Sequence, residues 1–183
     1  MRLAFDQVKA TQAAAAFLRQ RGGTIQYLAL IKLLYKLDRE ALRRWGMSVT
    51  TDKHSSLKLG PIVSKTYDLI KAGGNPSAAP TFWSSHIRTE GYNVALSLDP
   101  GTSELSPAEE ALILEIYKSD GTKDGFVLSD EFHKSFSEWK DPGDSSRPIE
   151  IEEILTALGV SEEQAGHTEL AISAQRAASR LSI

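Results

Sequence analysis

Four histidines, no cysteine and several adjacent carboxylates are the side chains from which this 183-residue sequence would have to build a reactive or metal site. The most suggestive grouping sets His133 beside Asp130 on one short helical stretch with Glu138 just beyond, the outline of a metal or acid–base site. Zinc generally needs about three or four convergent ligands. His54, His86 and His167 form no ligand-spaced set with His133, so no metal is expected. Glu109-Glu110, Glu152-Glu153 and Glu162-Glu163 are sequence neighbours in the first turns of predicted helices, where they favour the helix dipole. A catalytic pair is more usually assembled from separated positions. The sequence also lacks a Gly-x-Ser-x-Gly elbow, a Walker loop, a His-Glu-x-x-His pair and a dinucleotide fingerprint. These absences point away from an enzyme and from a cofactor.

A second group of residues invites a binding reading. Lys32 stands among Leu28, Ile31, Leu33 and Tyr35, where a buried ammonium is costly without a carboxylate. Its flexible apolar stem favours snorkelling to the surface, against the alternatives of a paired lysine or a partner contact. Tyr35 and Tyr67 lie on apolar faces and are expected to bury their rings. Gly60-Pro61 reads as the geometric lead into a helix starting at Pro61. Phe82, Trp83 and His86 follow a proline-containing turn and are candidate partner-binding residues, with a core position as the competing reading. Trp139, ahead of Asp141-Pro142-Gly143, is open in the same way.

Helices must position most of these groups. Asp6 caps a first helix that stops at Gly22-Gly23. Thr24 then opens the strongest segment, Ile25 to Trp45, where Leu28, Ile31, Leu34 and Tyr35 recur at helical spacing and Leu30, Leu33 and Leu37 widen the stripe. So broad an apolar girth predicts a central helix. Residues 47–59 read as a polar connector, partly extended, and the next helix ends at Gly73-Gly74. Tyr92, Val94, Leu96 and Leu98 alternate with polar or small residues, the one good β signal, and predict a short hairpin near 81–98. Ser106-Pro107-Ala108-Glu109 is a capping box that opens another helix. Leu128 to His133 reads as a further capped helix leading to Trp139, 141–148 as a loop, and Ile151 to Leu158 with Ser161 onward as a final helical pair. The fold class that results is mainly α with a small β element, a compact single-domain assembly of about six or seven helices.

Charge and targeting narrow the partners. With 21 basic against 24 acidic side chains and a net charge of -3, the chain lacks the broad positive field that nucleic acid draws on. The last helical pair has a helix-turn-helix outline, but its second helix opens Glu162-Glu163-Gln164 and reaches no basic residue until Arg176, which phosphates would repel. The start of the chain turns polar too early for a signal peptide and no stretch would span a bilayer. With no cysteine to suggest an oxidising compartment, a cytoplasmic location with no membrane partner is expected.

Taken in order, Lys32-Leu33-Leu34-Tyr35, then Gly60-Pro61-Ile62, Tyr67, a serine-capped helix at Leu105-Ser106, and Leu128, His133 and Trp139 resemble the signature of the Panacea domain, also called SocA-like. Two departures are visible: Ile62 where that family usually has Val, and no proline ahead of Trp139. The resemblance divides the chain into an N-terminal helix at 1–23, a core at 24–140 and a C-terminal extension at 141–183. It implies an antitoxin that neutralises a cognate protein toxin by direct binding, without catalysis or cofactor. Some members instead deliver the toxin to a ClpXP-type protease, and a DNA-binding regulator or an uncharacterised enzyme is the reading from another class. It also implies that Lys32, Leu34, Tyr35, Gly60, Pro61, Tyr67, His133 and Trp139 are family-motif residues with mainly structural roles.

Overall fold

The computed structural model describes residues 4–161. Helix α1 (Gln7–Gln20) begins where the Asp6 carboxylate accepts a bond from the Lys9 amide, as the sequence predicts. Its alanine run lets neighbouring elements approach closely, and every residue from Ala10 to Leu18 is buried. Thr24 does not open the next helix. Residues Thr24–Gln26 form a strand, β1, and α2 (Tyr27–Trp45) starts two residues later than the predicted Ile25. Pairing of β-branched Thr24 and Ile25 with a later strand outweighs the helical period that runs through them. Helix α2 is central, as its apolar girth predicts, and touches α1, α3, α5, α6 and α7. Gly46, at φ +70°, ends it.

Pro61 starts no helix. It lies in β3 (Gly60–Val63), which pairs antiparallel with β2 (His54–Leu57), and helix α3 (Ser64–Ala72) begins three residues beyond it. Strand β3 is the edge of a sheet ordered β3-β2-β6, with β6 at Arg147–Ile149. An edge strand tolerates a residue that lacks an N–H, which is why the proline fits there as well as at a helix start. The cap of α3 comes from outside the helix. Asp52 accepts bonds from the Lys65 and Thr66 amides and from the Thr66 hydroxyl. We expect Asp52→Ala to cost about 1–2 kcal/mol, read from urea unfolding.

The second sheet, ordered β1-β5-β4, contains the hairpin β4 (Ile87–Glu90) and β5 (Asn93–Leu96) that the alternation predicts. Ahead of it, Phe82–His86 form a short helix, α4, closed by a capping box between Thr81 and Ser84. Helix α5 (Pro107–Asp120) carries the predicted capping box of Ser106 and Glu109. Helix α6 (Gly125–Ser135) starts three residues ahead of Leu128, because Asp124 caps it through the Phe126 amide. Helix α7 (Ile151–Ala157) follows β6. The described residues thus hold seven helices and two small antiparallel sheets, a mainly α fold with a β element larger than the single hairpin predicted. No helix among the described residues is long and apolar enough to cross a membrane. The predicted helix from Ser161 onward, and with it Arg176 and the helix-turn-helix outline, lies outside the described residues.

Candidate functional site

Residues far apart in sequence meet where α2 passes under the β2–β3 hairpin. Lys32, expected to snorkel, does not reach the surface. Its side chain is wholly buried and its Nζ donates to the Pro61 carbonyl at 2.8 Å. No carboxylate among the described residues pairs with it, and burial pulls its pKa from 10.5 down to about 7. Gly60 makes the approach possible. Its φ of +99° suits glycine, and a Cβ there would stand 2.9 Å from Lys32 Nζ and 3.3 Å from His133 Nε2. Gly60→Ala is therefore expected to cost about 1–3 kcal/mol from backbone conformation alone, measurable as a lower unfolding midpoint.

His133 completes the cluster from α6. Its ring stacks on Trp139 with centroids 3.9 Å apart, while the Trp139 Nε1 donates to the Leu57 carbonyl. The buried Nε2 of His133 has no hydrogen-bond partner, and burial followed by the nearby Lys32 ammonium lowers its pKa. Five of the motif residues, Lys32, Gly60, Pro61, His133 and Trp139, thus share one locality. Leu34 sits in the core. Tyr35 is also buried, and its hydroxyl donates to Glu138, which also takes a bond from Arg39 at 2.7 Å. Burial, followed by the Glu138 charge, pushes the Tyr35 pKa upward. Arg39 in turn lies 4.1 Å over the Phe136 ring. Glu138 therefore serves Tyr35 and Arg39, and the outline of an acid–base group with His133 is not what the structure shows.

Beside this cluster a cavity of about 300 Å³ opens under the hairpin tip. Tyr27, Leu28, Ile31, Ile62 and Tyr67 form its apolar walls, and Lys32 contributes to its lining. Tyr27 is the middle of a stack, 6.1 Å from Tyr67 and 6.5 Å from Tyr92, and Tyr92 is 78% exposed. Burial, then the flanking Tyr67 and Tyr92, raises the Tyr27 pKa. The sequence gives no hint of this ladder, since Tyr27 and Tyr92 come together only through the β1–β5 pairing. Further round, Phe126 and Val127 are exposed on the first turn of α6, which abuts the start of α2 through Gly125.

The other expected binding patch is only half present. Trp83 is fully enclosed in the core, so it offers no anchor to a partner. The short α4 helix turns its ring inward, beside α1, whose Gln7 side chain accepts from the Trp83 amide. Phe82 and His86 stay half-buried with rings 4.3 Å apart, and a bond links His86 Nδ1 to the Phe82 carbonyl. A second cavity, of about 340 Å³, is lined by polar groups including Asp52, His54, Ser55 and Lys65. Two of its groups are already committed: Asp52 to the α3 cap, and His54 Nε2 to buried Asp38 at 2.9 Å.

The family model for the antitoxin SocA-like, Panacea domain matches residues 30–140. The chain belongs to that family. The matched segment begins within α2 and runs through Trp139, so it takes in the Lys32 cluster, both hairpins and helices α3 to α6 of the Panacea domain. No curated protein and no solved structure matches the chain. The residues expected to form the Panacea motif do not all do the same work. Leu34 and Tyr35 hold the core, whereas Lys32 and Tyr67 face the cavity under the hairpin.

Proposed function

We propose that this Panacea domain is an antitoxin that neutralises a cognate protein toxin by direct binding in the cytoplasm, acting by occupancy with no catalytic step and no cofactor. Membership of an antitoxin family over residues 30–140 carries the reading. Support comes from the surface beside the cavity, where Tyr92, Phe126 and Leu59 leave aromatic and aliphatic area exposed. Aromatic residues next to a well-formed pocket are the usual anchors of protein interfaces, and a few of them carry most of the affinity.

Growth rescue tests the proposal. The product of the adjacent gene is expressed alone and together with this protein, in a host with ClpXP and in one without it. Direct neutralisation predicts arrest by the toxin alone and rescue in both hosts. Rescue confined to the host with ClpXP would make the protein a proteolytic adaptor, and rescue in neither would remove the antitoxin reading. Tyr92→Ala is expected to weaken rescue while leaving the unfolding midpoint nearly unchanged, because so exposed a ring adds little to the core.

A further inference from the structure

The Lys32 ammonium is an expense the fold has no evident need for. It is fully buried, holds one carbonyl, and has no carboxylate among the described residues. The charged and titratable groups around it do not compensate. His133 approaches from α6 with an unsatisfied Nε2, Tyr27 and Tyr67 bring only phenol rings to the lining, and Lys58 and Asp144 lie at the exposed hairpin and loop, paired with each other at 3.3 Å. Among the described residues, Asp144 is the one carboxylate that lines the cavity. Beside apolar walls the site therefore holds a buried amine with no negative partner, and buried ionisable groups left unpaired in a folded protein commonly mark function.

We propose that the cavity is the socket for one acidic side chain of the bound toxin, whose carboxylate pairs with Lys32 while its apolar neighbours rest on Tyr27, Tyr67 and Tyr92. The inference rests on the antitoxin reading. The tyrosine ladder favours a side chain projecting from a folded face over a chain end, since it extends the contact outward from the socket mouth to exposed Tyr92. Lys32 has no exposed surface in the free protein, so the occupant displaces the exposed tip of the hairpin, Lys58 and Leu59, as it enters. Pairing with a carboxylate favours the charged amine, so binding draws a proton onto Lys32 near neutral pH.

Two arms test this independently. In the first, the whole protein carrying ¹³C,¹⁵N-lysine is titrated by NMR with 4-methylpentanoate and, separately, with 4-methylpentanamide. The expected result is a saturable shift of the Lys32 resonances and a rise of its pKa by at least about one unit with the acid only, a tenfold preference of the carboxylate for the protonated amine. Equal responses to acid and amide, or none at Lys32, would overturn the socket. In the second arm, toxin affinity is compared for the wild type, Lys32→Met and Lys58→Met. The socket requires a loss of at least about thirtyfold in Lys32→Met, with thermal unfolding confirming that it is folded, and a much smaller loss in Lys58→Met. Unchanged affinity in a folded Lys32→Met protein overturns the socket and leaves the antitoxin reading standing. If the wild type binds no toxin, the antitoxin reading fails instead, and with it the assignment of a toxin side chain as occupant, whatever the first arm shows of the amine.

Discussion

Glu138→Ala is expected to lose about 3–5 kcal/mol of folding stability, the largest effect of any single substitution considered. The Glu138 side chain is fully enclosed and holds two groups from α2 at once, the Tyr35 hydroxyl at 2.9 Å and the Arg39 Nε at 2.7 Å. Truncation leaves the Arg39 guanidinium nearly buried with only the Phe136 ring against it, and leaves the Tyr35 hydroxyl without an acceptor. An uncompensated charge in such a place costs far more than the pair contributes, because its desolvation is no longer offset. Glu138→Gln keeps an acceptor for Tyr35 and loses the ionic part alone, so it should lie between the wild type and the alanine variant. Urea unfolding of the three proteins at neutral pH gives the order directly.

Lys32→Met is expected to raise stability, and to raise it more in acid than in base. The unfolded chain holds the Lys32 proton up to its ordinary pKa of 10.5, whereas the folded chain releases it near 7. Above the unfolded value both states are neutral and the group costs nothing. As pH falls the penalty grows, and it is complete below about 7, where it amounts to on the order of 5 kcal/mol. Methionine keeps most of the stem and abolishes the titration, while the Pro61 carbonyl loses its donor at about 1–2 kcal/mol. The net expectation is a gain of roughly 3 kcal/mol at pH 6 that shrinks to near zero at pH 9. A gain independent of pH would mean that the buried amine is not what sets the cost. Stability bought by removing a lysine from a binding protein would itself argue that the lysine is kept for binding.

The sequence made most of the helical frame legible because local signals and tertiary needs agreed there. Asp6 and the Ser106-Glu109 box act within one turn of chain, and each is found where it was expected. The girth of α2 announced its central place. What stayed hidden depended on partners distant in sequence. Strands β2, β3 and β6 are three or four residues long, too short for a periodic signal, and exist because His54 to Leu57 finds neighbours on both sides. Thr24–Gln26 looked helical until β5 paired with it. Asp52 caps a helix from outside, and Trp83 is drawn inward by packing that no local pattern records. The site shows the same division. Its members Lys32, Gly60, Pro61, His133 and Trp139 were recognisable as motif residues, but the unpaired state of the lysine follows from the missing carboxylate around it, and a missing partner leaves no mark in a sequence.

Direct neutralisation is tested most simply with two purified proteins. The adjacent-gene product and this protein are mixed without protease or nucleotide, the complex is sought by calorimetric titration, and the toxin's activity is followed in a cell-free reaction. A stoichiometric complex that silences the toxin is the expected result. A toxin that stays fully active beside saturating amounts of this protein, with no heat of binding, would contradict it.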